Sequence, residues 1–245
     1  DVFEMRPEEL QLGFLKMLRG TGLRQQAKQW DYQYMDQAPY EIVSNNVMPF
    51  TDIIRIKQVE DVLEKYWNDH RMDLGVEYLV STVYSSPFDF FQEFGSYWEE
   101  MNWSRIGHQP EDLFKRLAEF NEKTHPESQE MLLSLLKIDY LKKLSFKPRK
   151  PWWVSSMTKQ EKSPYYQAAI KEPERVSPEF AELHLNEKDM YKHVLIEEID
   201  FDYHHYLKTG EYRTQKNLLL AYFNPKEGGS KLFITKPDNL LLQNV

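Results

Sequence analysis

The sequence predicts an α+β fold dominated by α-helices: an antiparallel helical bundle followed by a smaller C-terminal part with a short antiparallel sheet. Three observations carry that expectation. Apolar residues recur at three- and four-residue steps between about residues 50 and 144. Proline or a capping residue stands near the start of most of those runs, at Pro49, Ser86-Pro87, Pro110 and Pro126. Near the C-terminal end the period shortens, and turn residues separate three apolar runs.

The elements follow in chain order. Residues 51–70 make the clearest helix. Thr51 and Asp52 are placed to cap it, and Ile56, Val59, Leu63 and Tyr66 share one face, widened by Ile53 and Trp67. Residues 74–84 form a second helix. Ser86 and Pro87 open a third, which carries a dense aromatic set of Phe88, Phe91, Phe94, Tyr97 and Trp98. Pro110 opens a fourth, with Leu113, Phe114, Leu117 and Phe120 inward. Pro126 opens a fifth, through Met131, Leu132, Leu135, Leu136 and Leu144. Short connections favour antiparallel neighbours.

The stretch KKLSFKPRKPWW holds five basic residues, two prolines and no acid, and it reads as a boundary. Residues 153–192 are polar and punctuated by proline, with room for two short helices. KHVLIEEIDFDYH then alternates at Ile196, and again at Ile199, Phe201 and Tyr203. NLLLAYF and SKLFITK are apolar runs separated by NPKEGGS, so the last two of three strands form a hairpin. The expected domains are 1–44, an opening strand and loop; 45–145, the helical bundle; and 146–245, an α+β subdomain.

Composition excludes several functions. The net charge of −8 disfavours general nucleic-acid binding, which depends on neutralising phosphates. There is no cysteine, which removes disulfides, thiolate metal sites, thiol nucleophiles and iron–sulfur ligation by this chain. No apolar run approaches the ~20 residues of a membrane helix, and the opening DVFE is not a secretory signal. A cytoplasmic protein with neither a membrane nor a nucleic-acid partner is expected. Neither GxGxxG, GxxxxGKS nor HExxH is present.

The opening LQLGFLKMLRGTGLRQQA suits a strand or a helix, and from its residues alone Gly20 reads as a C-cap. Its end, MLRGTGL, resembles the late barrel strand of the radical S-adenosylmethionine superfamily, where Pro-Gly-Thr-x-Leu follows a hydrophobic strand. Gly20, Thr21 and Leu23 match, and Arg19 stands in place of the proline. ELQLGFLK resembles that strand in the subgroup with a cobalamin-binding domain ahead of the barrel. APYEIVSNNVMPFTDIIRIKQVEDVLEKYWN resembles the helical C-terminal domain of unknown function that follows the barrel in proteins labelled oxidative cyclases or Fe–S oxidoreductases.

The resemblance implies a parent enzyme that uses a 4Fe-4S cluster, S-adenosylmethionine and cobalamin. Its barrel and cobalamin domain would be upstream partners in the same polypeptide, and Gly20, Thr21 and Leu23 would lie near the S-adenosylmethionine pocket. The chain here would hold no cofactor and catalyse nothing alone. It would cover the barrel, shape the cavity for a small-molecule substrate, and keep water and oxygen from the radical. Tyr32, Tyr34 and Tyr40 are candidate lining groups. Without partner strands, the opening strand is expected to turn helical or dock loosely.

Three other clusters carry chemistry. On a strand, Asp200, Asp202 and His204 would share one face at repeats of about 7 Å and could hold a divalent metal, as in a metal-dependent hydrolase; a polar outer face is the plainer reading. Lys142, Lys143, Lys147, Arg149 and Lys150 beside Trp152 and Trp153 could meet phosphates and bases, or form a solvated helix end stabilised by its dipole and followed by a proline-stiffened connector; a contact between domains is a third reading, since adjacent tryptophans are seldom left exposed. The aromatic helix could line a porphyrin pocket, with His108 the nearest histidine, but aromatic residues at helical spacing are usually core. A stand-alone helical module that binds a protein is the remaining alternative.

Overall fold

The computed structural model describes residues 2–224, 226 and 228–241. They fall into two compact units: residues up to 70 together with 84–107, and residues 71–83 together with those from 108 onward. The expected class holds, since helices dominate and the strands form one two-stranded and one three-stranded antiparallel sheet. No helix among the described residues is long and apolar enough to cross a membrane.

The first unit begins with a 3-10 turn over Phe3–Met5 and then extended chain, followed by the short helix α1 (Gly22–Gln25) and the strands β1 (Gln33–Tyr34) and β2 (Ile42–Ser44). Two long helices carry it, α2 (Phe50–Leu63) and α4 (Pro87–Glu100); α3 (Asp73–Tyr78), between them in sequence, belongs to the second unit. The N-cap of α2 is Pro49, which offers no side-chain cap, so Thr51 and Asp52 sit inside the first turn instead of capping it. There Asp52 still meets the positive end of the helix dipole. The helix widens into a π turn over Glu64–Asn68, which buries Tyr66 and Trp67. Ser86 caps α4 by accepting the Asp89 amide proton, and Pro87 takes the first helical position.

The aromatic set of α4 is core. Phe90, Phe91, Phe94, Tyr97 and Trp98 are buried, whereas Phe88 points outward. Tyr66 meets Phe94 and Trp98 edge-on at centroid separations of 4.7 and 5.7 Å, a favoured ring geometry. Gly95 lets the helices touch: a Cβ there would lie 2.6 Å from the Gln58 carbonyl oxygen of α2.

In the second unit, α3 continues into a π turn over Leu79–Val83 and packs on α6 (Gln129–Lys143), as does α5 (Pro110–Thr124). Pro126 starts a 3-10 turn and not the helix itself, and α6 ends before Leu144, which is extended. The polar region holds three helices, α7 (Lys159–Lys171), α8 (Pro178–Ala181) and α9 (Glu187–His193). A capping box between Thr158 and Glu161 starts α7.

The expected sheet follows: β3 (Val194–Asp200), then α10 (Tyr203–Thr209), β4 (Lys216–Phe223), β5 (Ser230–Thr235) and α11 (Pro237–Leu241). The order is β3-β4-β5, antiparallel throughout, with Ile196 opposite Leu220 and Leu220 opposite Phe233. One departure bears on function. The first strand stops at Asp200 and does not reach Tyr203, because Asp202 accepts the His205 amide proton at 3.0 Å and starts a helix.

Val194, Ile196, Leu218 and Leu220 meet Tyr166 and Ala169 of α7, Phe180 of α8, Met190 of α9 and Leu240 of α11 in one apolar cluster. Helix α6 is tied to the sheet by polar contacts. Lys137 Nζ donates to the Glu198 carbonyl at 2.9 Å, the Asp200 amide to Ser134 Oγ at 2.9 Å, and Ser230 Oγ to the Leu141 carbonyl at 2.7 Å.

Candidate functional site

The opening segment is extended and docked, not helical. Its near end is clamped by one side-chain amide: the Leu10 N–H donates to Asn68 Oδ1 at 2.9 Å, and Asn68 Nδ2 donates back to the Leu10 carbonyl at 3.1 Å. Further on, the Ile42 amide donates to the Leu15 carbonyl at 2.9 Å and the Met17 amide to the Tyr40 carbonyl at 2.8 Å, around an antiparallel bridge between Lys16 and Glu41. Met17 is fully buried, while Leu15 and Leu18 stay exposed. One edge of the segment is therefore paired as a strand edge is.

A tight turn ends it. The Leu18 carbonyl accepts the Thr21 amide at 3.4 Å and the Thr21 hydroxyl at 2.8 Å. Gly20 between them has φ +83°, where an L side chain is strained, yet a Cβ there would meet nothing within 4 Å. Backbone conformation, not crowding, calls for glycine, and the peptide stays open to approach. Thr21 Oγ1 also accepts the Arg24 amide at 3.4 Å and caps α1. Its hydroxyl serves the turn. Leu23 is half-buried.

Two arginines that the sequence reading left unassigned complete the cluster. Arg24 Nη1 donates to the Met17 carbonyl at 2.9 Å, and its guanidinium lies 4.9 Å from the Tyr34 ring centroid and 5.4 Å from that of Tyr40. Arg19, in the place of the proline, lies 5.7 Å from the Tyr40 centroid. These are cation–π distances. Tyr34 and Tyr40 thus join the turn, while Tyr32 donates its amide to the Ala27 carbonyl. The signal was present in GTGLR, which puts Arg24 three residues after the capping Thr21. The carbonyl contact orients the guanidinium, whose planar fork suits a carboxylate.

The other candidates are arranged differently. Asp202 and His204 line one cavity and Asp200 another, so the trio is not brought together. Asp202 is buried and paired with Arg213; burial pushes its carboxyl up, but the His205 amide and Arg213 hold it below the usual carboxylate range. His204 Nε2 lies 2.9 Å from the Ile234 carbonyl. Among the described residues, no group of three or more His, Asp or Glu side chains is placed to hold a metal ion.

In the basic connector, Lys147 Nζ donates to the Tyr191 and Val194 carbonyls at 2.8 and 2.6 Å. Burial and the nearby Lys162 lower its pKa to about 8. Trp152 stacks on Phe114 and Trp153 is buried beside Tyr140, so this stretch is packed connector. His108 sits 3.3 Å from Arg116 Nη1.

A family model described as a protein of unknown function (DUF4080) matches residues 28–221, a span that starts after the opening turn. No curated protein and no solved structure matches the chain.

Proposed function

The chain belongs to the DUF4080 family of unknown function, and from that premise we propose that it is the C-terminal accessory region of a radical S-adenosylmethionine enzyme with an upstream cobalamin-binding domain. What carries the reading is the turn at Leu18–Arg24. An extended segment paired along one edge ends in a left-handed glycine and a capping threonine, at the residues that resemble the late barrel strand. Active sites of β/α barrels sit at such strand ends.

Gly20 would let a ligand approach the backbone, and Arg24 would meet a carboxylate such as that of S-adenosylmethionine while Tyr34 and Tyr40 offer ring faces. Thr21 would act by holding the turn. The chain has no cysteine, so the cluster that cleaves S-adenosylmethionine reductively would take its thiolates from the upstream barrel. The region's own work would be positioning and the exclusion of water and oxygen. Such oxygen-sensitive chemistry fits a cytoplasmic parent.

The coding sequence ahead of residue 1 tests this. A CxxxCxxC motif within a barrel, preceded by a cobalamin domain, supports the assignment. A start codon at or near Asp1 removes it.

A further inference from the structure

A second site lies in the C-terminal unit, and its case is independent of the enzyme reading. Between α10, β4 and the end of β5 there is a cavity of about 410 Å³. We propose that it binds a small oxyanion of the phosphate or carboxylate class. The chain as a whole is acidic, at −8, yet the side chains around this cavity reverse the sign. Lys208, Arg213 and Lys236 face it together with His204 and His205, and Asp202 is the one carboxylate in the lining.

That carboxylate is already matched. Asp202 is buried, accepts the His205 amide at 3.0 Å and pairs with Arg213 Nη2. The pair fixes the guanidinium while leaving it more than half exposed. A fixed guanidinium with donors to spare is the usual partner of a planar or tetrahedral oxyanion. Lys208 and Lys236 are exposed and form no ion pair among the described residues. His204 is held by the Ile234 carbonyl, so its Nε2 carries the hydrogen and the ring is oriented at the wall. Glu211, which is not in the lining, lies 3.3 Å from His205 Nε2. Asp202 offsets one of the three permanent positive charges, so the cavity keeps a net positive charge that repels a metal cation and attracts an anion.

Calorimetric titration of the whole chain with sodium pyrophosphate, and separately with sodium citrate, tests the proposal. Saturable one-to-one binding of either anion is expected, and the tighter of the two assigns phosphate or carboxylate. Because Arg213 supports a buried acid, the informative variant removes the two exposed lysines: Lys208→Gln with Lys236→Gln should weaken binding about tenfold, the combined loss of two exposed charge-assisted contacts. Lys142→Gln with Lys143→Gln removes the same charge elsewhere and should change affinity less than about twofold, as screened surface charges do. Absence of saturable binding by both anions overturns the site. So does equal weakening by the two double variants.

Discussion

At the scale of single residues, Asp139 of α6 shows how burial and hydrogen bonding compete. Its carboxylate accepts the Gly75 amide at 2.9 Å and the Leu74 amide at 3.3 Å, at the start of α3. Desolvation outweighs those bonds and pushes its pKa up to about 7, with Asp73 adding to the rise and Lys142 opposing it. The unfolded value is about 4, so the folded state binds the proton more tightly. The stability this group contributes is complete below about pH 4 and is lost as the pH rises to about 7. Denaturant unfolding across that interval should show the decline, and Asp139→Asn should flatten it. Gly20 gives a second test: Gly20→Ala places an L side chain at φ +83° and should cost about 1–2 kcal/mol, read as a lower unfolding midpoint. Gly20 and Thr21 were legible in the sequence as a pair. Arg24 with Tyr34 and Tyr40 was not, because that cluster forms only when the chain folds back through β1 and β2.

At the scale of elements, the long helices and the three strands follow the apolar period, which burial against a neighbour imposes. The ends were less legible. Pro49 displaced the expected cap of α2, and DFDYH alternates like a strand until Asp202 captures an amide and turns the chain into α10. Two contacts decide how elements fit. Gly95→Ala would push a methyl to within 2.6 Å of the Gln58 carbonyl and separate α2 from α4. A cost of about 1–3 kcal/mol is expected from overpacking, measurable by thermal unfolding. Glu197 of β3 is almost wholly buried and is matched by Lys162 Nζ at 2.5 Å and Ser155 Oγ at 2.7 Å. Lys162→Met strands that carboxylate, and a loss of about 3–5 kcal/mol is expected. Replacing both, with Glu197→Leu added, should recover much of it.

At the scale of the whole molecule, composition pointed to a boundary near residue 145, where the basic, proline-rich connector begins. Contacts divide the chain elsewhere: α3, α5 and α6 group with the sheet, while α2 and α4 group with the opening segment. A connector looks like a linker by charge and proline content, but Lys147, Trp152 and Trp153 bind it into the second unit. Periodicity shows which face of a helix is buried and not which partner buries it. On the proposed function the opening turn is the end of a larger barrel, which joins this level to the first. The most direct measurement is electron paramagnetic resonance on the polypeptide from the native reading frame, purified without oxygen and reduced. A 4Fe-4S signal that shifts when S-adenosylmethionine is added, with the signal absent from residues 1–245 alone, is the result expected; a polypeptide that carries no such cluster would contradict the account.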